Sequence, residues 1–474
     1  IVDKNVGQDG RLITGGPLDK PWGVAVAPSS FGAFGNDLLV GNFGNGHINA
    51  FDPKTDQFAG ELTTSSGQPF EEDHLWSLQF GNGGPAGPAN TLFFTAGING
   101  EKDGLFGSLQ AAPAVPPKTP LLTNLNHFPE QTVSTGASNG DLNPYGVAFV
   151  PQDYRGGGQL APGDLLVSNF NDSNNVQATG STLVKIGPDG QQSTFFQGPT
   201  GLGLTTALGV LPQGFVLVGS APAATVNGVN TVANGGLIVL DSNGNEVTEL
   251  TDPSLLQGPW DLTVNNVDAT HAQVFVSNVL SGTVTRLDLT IPPNGVPMVQ
   301  SETQIASGYA HETNAAALVV GPTGLTFDPK RGTLYVASTG DNAIYAISHA
   351  GATKRDQGMG RLVVRDPQHL HGPLGLTLAP NGDLIVANGD AVNADPNQAN
   401  ELVEYKPNGK FVGQFQIDNG APGAAFGLAV QQVGDQVRFA AVDDNTNTID
   451  VWTFLSEGEH HGREDLLDQL FSAM

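Results

Sequence analysis

The chain alternates short apolar runs with turns rich in glycine, proline and asparagine, and one phrase recurs along its length. The phrase is a turn, a glycine and an alternating apolar strand, first seen at Pro21–Pro28 (PWGVAVAP). Apolar residues that repeat with a period of two indicate β-strands with one buried face. Eight copies can be aligned, and they begin at Pro21, Leu75, Pro144, Ala207, Pro259, Pro322, Pro373 and Ala425.

Further strands follow each copy of the phrase. The second strand is clear at Asp37–Asn42 and Asp383–Asn388, the third at Leu402–Tyr405, and hairpin turns such as Pro407–Gly409 lead to a fourth. Four short strands in each unit of roughly fifty to seventy residues are typical of β-propellers. The sequence therefore predicts an all-β, eight-bladed β-propeller of four-stranded antiparallel blades. Seven blades are the alternative, if the poorly matched unit at Trp76–Gln110 merges with a neighbour.

The two ends of the repeat region complement each other. The last unit begins at Gly427 and contains strands near Val437–Val442 and Ile449–Phe454, but no outer strand follows them. The segment Arg11–Thr14, ahead of the first full unit, could supply that strand and remove both open edges. The sequence thus predicts one propeller over residues 1–455, closed into a ring by its N-terminal strand.

A tail of different character spans residues 456–474. Leu466, Leu467, Leu470 and Phe471 fall on one face of a helix, so we expect a short amphipathic C-terminal helix. It would dock on the ring, and recruitment of a partner by the helix is the alternative.

The composition narrows the class of partner. Only 14% of the residues are charged and 39% are hydrophobic, as expected for buried strands rather than charged helices. The net charge is −27 and no basic cluster is visible, which argues against nucleic acid and anionic membranes as partners. There is no cysteine and no apolar run long enough for a transmembrane helix. The first residue, Ile1, suits a secreted chain without its signal peptide, so we expect an extracellular or periplasmic location, although a trimmed chain would begin in the same way.

Residues 12–107 resemble an uncharacterised family of secreted bacterial NHL-like proteins. The matching phrases are Pro21–Ala25 (PWGVA), Phe31–Gly44 (FGAFGNDLLVGNFG), Ile48–Asp52 (INAFD), Phe80–Gly84 (FGNGG), Thr91–Gly97 (TLFFTAG) and Asp103–Gly107 (DGLFG). That family implies no function. The rest of the chain resembles NHL and SMP-30-like propellers. The resemblance to SMP-30 and gluconolactonase-type enzymes implies metal-binding Asn, Asp or Glu residues in the loops that enter the innermost strands.

The residue before the recurring glycine tests that implication. The eight positions read Trp22, Trp76, Tyr145, Leu208, Trp260, Thr323, Leu374 and Phe426. They contain no carboxylate and no asparagine, whereas a hard cation such as Ca²⁺ needs several oxygen ligands. We therefore expect no SMP-30-type metal site. The aromatic members form a predicted central collar, which either plugs the ring, the favoured interpretation, or cradles a ligand.

Three histidines lie in loops that lead to inner strands: His74, His369 and His371. In an extended His-x-His segment both imidazoles point to the same side, a spacing that suits zinc or copper. Solvated loop histidines are the alternative interpretation. The loop Asp390–Glu401 is rich in oxygen ligands and could hold calcium, although it lacks the EF-hand spacing. A divalent metal (zinc, copper or calcium) is thus the only cofactor that the sequence suggests.

These observations favour a binding or interaction scaffold, with a protein or small-molecule ligand at the propeller face. The alternative is a metal-dependent lyase or hydrolase that uses His74, His369 and His371 at the central opening. A third hypothesis is assembly into a cell-surface or extracellular structure. The oligomeric state does not follow from the sequence, and the fold alone does not decide among these functions.

Overall fold

The computed structural model describes residues 12–28, 31, 34–53, 56–62, 69–84, 87–110, 119–125, 128–293, 295–397, 401–433 and 436–455. The chain divides into two compact units. The sequence predicts one propeller over residues 1–455. Unit 1 draws on residues 1–115, 432–436 and 458–474, and unit 2 on residues 116–431 and 437–457. The predicted C-terminal helix lies outside the described residues.

Unit 1 contains two antiparallel sheets. The first has four strands in the order β1 (Pro21–Val26), β2 (Leu38–Asn42), β3 (Ile48–Phe51) and β4 (Phe58–Glu61). The second has three, β5 (Leu75–Phe80), β6 (Thr91–Gly97) and β7 (Asp103–Gln110). A single helical turn, α1 (Ile98–Glu101), joins the last two strands. Among the described residues, no helix is long and apolar enough to cross a membrane.

Unit 2 contains six four-stranded antiparallel sheets. The first sheet is β9 (Leu142–Phe149), β10 (Leu165–Asn171), β11 (Thr182–Ile186) and β12 (Gln192–Gln197). The second sheet is β13 (Leu204–Leu211), β14 (Phe215–Ser220), β17 (Leu237–Leu240) and β18 (Glu246–Leu250). The third sheet is β19 (Pro259–Asn266), β20 (His271–Asn278), β21 (Thr283–Thr290) and β22 (Met298–Ser307).

The remaining three sheets follow the same pattern. The fourth sheet is β25 (Pro322–Asp328), β26 (Thr333–Ser338), β27 (Ala343–Ile347) and β28 (Arg361–Val364). The fifth sheet is β29 (Pro373–Leu378), β30 (Leu384–Asn388), β31 (Glu401–Tyr405) and β32 (Phe411–Gln416). The sixth sheet is β33 (Ala425–Val433), β34 (Gln436–Asp443), β35 (Thr448–Leu455) and β8 (Gln131–Ser134).

Two small hairpins stand outside the six sheets. They are β15 (Ala223–Val226) with β16 (Val229–Val232), and β23 (Glu312–Asn314) with β24 (Leu318–Val320). The first interrupts the second sheet between β14 and β17, and the second precedes the fourth sheet. One turn of 3₁₀-helix spans Leu122–Asn124.

The first strands of the six sheets surround one central cavity. Each of the six contributes to its wall, through Val147, Val210, Asp261, Leu325, Leu376 and Leu428. The recurring glycine explains how these strands approach one another. A Cβ added at Gly375 would overlap the carbonyl oxygen of Phe426, and one added at Gly427 would overlap that of Tyr145. The contacts between inner strands thus run from the fifth sheet to the sixth and return to the first.

The fourth strand of the sixth sheet comes from the segment just ahead of the first sheet. β8 pairs antiparallel with β35, from Thr448 opposite Ser134 to Val451 opposite Gln131. The prediction that Arg11–Thr14 supplies this strand is not confirmed, because β8 occupies the position and residues 12–14 form no strand. The all-β prediction with four-stranded antiparallel sheets is confirmed. The prediction of eight blades is not confirmed, since among the described residues six four-stranded sheets belong to unit 2, and one four-stranded and one three-stranded sheet belong to unit 1.

Asparagines at or near the ends of the second strands have a structural role. Asn42, Asn169, Asn278 and Asn388 are fully buried. Asn278 Oδ1 accepts a hydrogen bond from Gln257 N, and Asn388 Oδ1 accepts one from His371 N, each at 3.0 Å. Both donors precede the inner strand of the same sheet. The asparagine side chain therefore accepts a hydrogen bond from a backbone N–H group in the loop that enters the sheet. Among the described residues, no neighbouring strand provides an acceptor for that group.

Candidate functional site

The predicted collar is divided between the two units. In unit 2, Tyr145, Trp260 and Phe426 are buried and belong to one hydrophobic core. The Tyr145 ring stacks on Phe170 at 4.1 Å between centroids and contacts Phe426 at 4.4 Å. Burial raises the pKa of the Tyr145 hydroxyl well above its usual range. These contacts describe a packed aromatic plug, which leaves these three side chains little surface for a ligand.

The other two collar residues lie in unit 1 and are more exposed. Trp22 is 61% exposed and Trp76 is 36% exposed. Their rings meet edge to face at 4.9 Å, and Phe43 packs on Trp76 at 5.3 Å. His74 joins this group with its ring 4.7 Å from Phe43. The structure thus places His74 in an aromatic cluster of unit 1, whereas His369 and His371 belong to unit 2.

The His369–His371 segment is a turn rather than the extended strand that the spacing predicted. Leu370 N donates to the carbonyl oxygen of Asp366 at 2.8 Å, which closes the turn. His369 Nδ1 lies 2.7 Å from Asp366 Oδ2, and its ring stacks on Phe411 at 3.9 Å. His371 instead lies in the interior. Within the described part of the chain, no group of three or more His, Cys, Asp or Glu side chains is arranged to hold a metal ion.

His371 belongs to a buried polar network in the fifth sheet. Its Nδ1 lies 2.6 Å from the carbonyl oxygen of Asn393. Its Nε2 lies 3.2 Å from Glu401 Oε1, within ion-pair distance but without the alignment of a hydrogen bond. Asn388 Nδ2 donates to the same Glu401 oxygen at 2.8 Å and to His369 O at 2.8 Å. The network connects the loop that follows β30, through the carbonyl oxygen of Asn393, to the end of that strand.

We expect Glu401→Gln to change how stability depends on pH. Burial raises the pKa of Glu401 to about 7, and His371 opposes that rise. Since the native state holds this proton more tightly than the unfolded chain, its stabilising contribution is complete below about pH 4.5 and is lost as the pH rises through 7. Glutamine carries no such proton. Between pH 5 and 8 the variant should gain about 1–3 kcal/mol relative to the parent chain.

The free energy of unfolding in urea, measured for both chains at each pH, tests this expectation. Other buried acids affect both chains equally, so only the difference between the chains is used. A difference that does not vary with pH would contradict it.

A polar cleft of about 640 Å³ opens at the end of unit 2 where the first sheet begins. Its wall includes Asn143, Asn171, Asn175, Thr231, Leu318 and Asp444. Asn143 and Asn171 lie next to the plug along the chain, two residues before Tyr145 and one after Phe170. Asn171 pairs with Leu142 in the ladder between β9 and β10, which sets it beside Asn143.

Two amide side chains of this cleft have buried acceptors without donors, and the carboxyl group of Asp444 lies in the same wall. Asn143 and Asn171 are only 4% and 3% exposed, and the Oδ1 atom of each is buried without a hydrogen-bond partner among the described residues. Asn171 Nδ2 donates to Asn175 Oδ1 at 2.6 Å, which fixes the orientation of the amide. Burial, with the nearby charge of Asp443, raises the pKa of Asp444 to about 6. Buried acceptors without donors are costly, and a cation bound in the cleft would satisfy the two amide oxygens and balance the carboxylate of Asp444.

Local backbone geometry builds this site. Asn143 has φ of 61°, Asn175 of 57° and Leu318 of 59°, all in the left-handed region. Asparagine tolerates this region, but leucine is strained there, and such strain is found preferentially at functional sites. Asn143 N donates to Asn447 Oδ1 at 2.7 Å, and Asn447 N donates to Asp444 O at 3.3 Å. The turn after β34 is thereby fixed beside the start of β9.

Two hairpins and one loop complete the wall. The hairpins β15–β16 and β23–β24 contact each other, and Gln177 Nε2 donates to Ala316 O at 3.3 Å between the loop and the second hairpin. The loop itself is held by Asp172, whose Oδ1 accepts from the backbone N–H groups of Asn174 and Val176. No lysine, arginine or histidine is among the described residues of the wall. The cleft therefore suits a cation or a neutral polar ligand better than an anion.

Sequence reasoning did not find this site. The position tested for metal ligands was the residue before the recurring glycine, whereas Asn143 stands three residues before Gly146. Asn171 lies two residues beyond the structural asparagine Asn169. The signal in the sequence was the Asn143-Pro144-Tyr145-Gly146 phrase, in which an asparagine precedes the proline. None of the other copies has asparagine there.

No known family profile matches this chain. An uncharacterised protein of Acanthamoeba polyphaga mimivirus is 36% identical over 99 residues, 21% of this chain and 24% of that protein. A second uncharacterised protein of the same virus is 33% identical over 103 residues, 21% of this chain and 25% of that protein. The match therefore spans about a quarter of the length of these relatives. The resemblance of 12–107 to secreted bacterial proteins is not confirmed by them.

Several solved structures are similar to this chain at low identity. A luciferin-regenerating enzyme matches with a TM-score of 0.41 and 10% identity, over 69% of this chain and 96% of that chain. A gluconolactonase from Xanthomonas campestris matches with a TM-score of 0.40 and 15% identity, over 69% and 98%. The calcium-binding protein regucalcin from Agrobacterium tumefaciens matches with a TM-score of 0.39 and 13% identity, over 69% and 95%.

Proposed function

We propose that unit 2 is a six-bladed propeller that binds a small polar ligand through a hard divalent cation, with calcium the first candidate, in the cleft at Asn143, Asn171 and Asp444. The observation that supports this most directly is the pair of buried amide oxygens that have no donor. Calcium prefers carboxylate and amide oxygens and takes six to eight ligands. Three protein oxygens would leave several coordination positions open for oxygens of the ligand.

This proposal keeps the binding role predicted from the sequence but moves its location. The aromatic plug closes the position where the collar was expected to hold a ligand, and the polar cleft lies beside it. The histidine-dependent lyase or hydrolase finds no support from geometry, because His369 and His371 have different partners and neither lines the cleft. Secretion and assembly into a surface structure remain predictions of the sequence analysis.

Titration of the full chain with calcium at pH 7.5, monitored by isothermal titration calorimetry, tests the proposal. Asp444→Asn removes the one charged ligand, so we expect at least a tenfold loss of affinity. Because protons compete for a carboxyl whose pKa is about 6, affinity should also fall as the pH is lowered below 6. Asp153→Asn is the matched control, since it removes one exposed carboxylate elsewhere in unit 2 and should bind like the parent chain.

Equal calcium affinity for the parent chain and Asp444→Asn would overturn the proposal, as would the absence of binding by the parent chain. Asn143→Ala gives an independent check, because it removes a neutral oxygen ligand without changing the charge of the chain. A weaker affinity in both variants, with unchanged circular dichroism, supports a shared site.

A further inference from the structure

The central cavity of unit 2 contains a carboxyl group at a position where the other inner strands have glycine. The repeat places Gly146, Gly209, Gly324, Gly375 and Gly427 at this position, and the third sheet places Asp261 there. The cavity has a volume of about 190 Å³, and its wall includes all six inner strands. Of the described residues that line it, Asp261 alone is ionisable.

The Asp261 carboxyl lies between two neighbouring sheets. Its Oδ1 accepts a hydrogen bond from Leu262 N, and its Oδ2 accepts one from Leu325 N in the fourth sheet, each at 2.8 Å. Two backbone donors favour the ionised form, yet burial outweighs them and raises the pKa of Asp261 to about 8. No lysine, arginine or histidine in the wall compensates the charge. A carboxylate in such a place needs a proton or a cation.

Threonine residues line the same cavity as Asp261. Thr263, Thr326 and Thr377 line it from the third, fourth and fifth sheets. Thr263 follows Asp261 by two residues on β19. Thr326 follows Leu325, whose backbone N–H binds the carboxyl. Their hydroxyls have no hydrogen bond to any described residue, so they are available to a bound species.

We propose that this cavity binds one alkali-metal cation, sodium or potassium, through the Asp261 carboxylate and the hydroxyls of Thr263, Thr326 and Thr377. The charge selects the class of ion, since one carboxylate among neutral oxygens balances one positive charge. A divalent cation would exceed the single negative charge of the wall, because no other described residue that lines the cavity is ionisable. The bound ion would connect the third, fourth and fifth sheets, whose inner strands supply the ligands.

Thermal unfolding of the full chain at pH 9, where the carboxyl ionises, tests this site. Solutions of sodium, potassium or choline chloride at equal ionic strength, all with EDTA, separate ion binding from screening. We expect at least one alkali-metal salt to raise the midpoint by about 2–4 °C over choline chloride. The gain should shrink at pH 6.5, because the proton then occupies the carboxyl.

Asp261→Gly is the decisive variant, because it restores the residue that the repeat uses in the other five sheets and removes the charge. It should unfold at the same temperature in all three salts. Thr326→Val, of similar shape but without the hydroxyl, should show a smaller salt response than the parent chain. The sodium-23 linewidth gives a second readout, since binding broadens it for the parent chain but not for Asp261→Gly.

The site is overturned if the parent chain responds equally to choline and to both alkali-metal ions, or if Asp261→Gly keeps the parental response. Repeating the series in Asp444→Asn separates this site from the cleft. The response should persist there, because the two sites share no residue.

Discussion

Replacing Gly427 by alanine is expected to lower the free energy of unfolding by about 3 kcal/mol. A methyl group at this position would overlap the carbonyl oxygen of Tyr145, in the inner strand of the first sheet. A side chain can rotate away from a clash, but a backbone carbonyl inside a paired strand cannot. The sixth and first sheets would therefore have to separate. Urea unfolding followed by far-ultraviolet circular dichroism measures the loss.

Gly413→Ala is the matched control for this experiment. Gly413 lies in β32 with ordinary negative φ, and an added Cβ there would have no neighbour within 4 Å. The same chemical change should alter the free energy of unfolding by less than about 0.5 kcal/mol. Equal losses in the two variants would contradict the close approach of the inner strands as the reason for the recurring glycine.

The sequence predicted the strands well because each is specified locally. The phrase at Pro144–Phe149 carries its own turn, its own glycine and a period of two, and the structure has a strand there. The structural role of Asn278 and Asn388 was also predictable, since both recur at the same place in the repeat. How many sheets share one ring depends on contacts between distant segments. Nothing near Pro21 in the chain tells whether its strand joins the others, and β8 escaped notice because four residues are too short to stand out.

The candidate cation site was harder to predict, because it also depends on contacts between distant segments of the chain. Asn143 and Asp444 are 301 positions apart in the sequence, and only the return of the sixth sheet to the first brings their loops together. The metal site predicted from the His369-x-His371 spacing was misleading, because that prediction required an extended backbone. Asp366 instead accepts hydrogen bonds from the backbone and side chain of His369 and closes a turn. Aspartate before proline is a turn signal, and it outweighed the spacing of the two histidines.

Glu401→Ala is expected to destabilise the chain by about 3–5 kcal/mol, the second large effect. Glu401 is fully buried, and its Oε1 accepts from Asn388 Nδ2 at 2.8 Å while lying 3.2 Å from His371 Nε2. Truncation would remove one of the two acceptors of the Asn388 amide and the carboxyl group beside His371 Nε2, and it would leave a cavity in their place. Glu246→Ala, an exposed glutamate in β18, should cost less than about 0.5 kcal/mol.

The conservative variant distinguishes hydrogen bonding from charge in this network. Glu401→Gln keeps an oxygen that accepts from Asn388, so at pH 5, where the native carboxyl is largely protonated, it should lose much less stability than Glu401→Ala. If both variants were equally destabilised at pH 5, an interaction of the carboxyl group that glutamine cannot replace, rather than the contact with Asn388, would carry the stabilisation. If neither variant were destabilised, Asn388 and His371 would have to find other acceptors. Loss of order in the loop after β30 would then be measurable as faster amide hydrogen exchange.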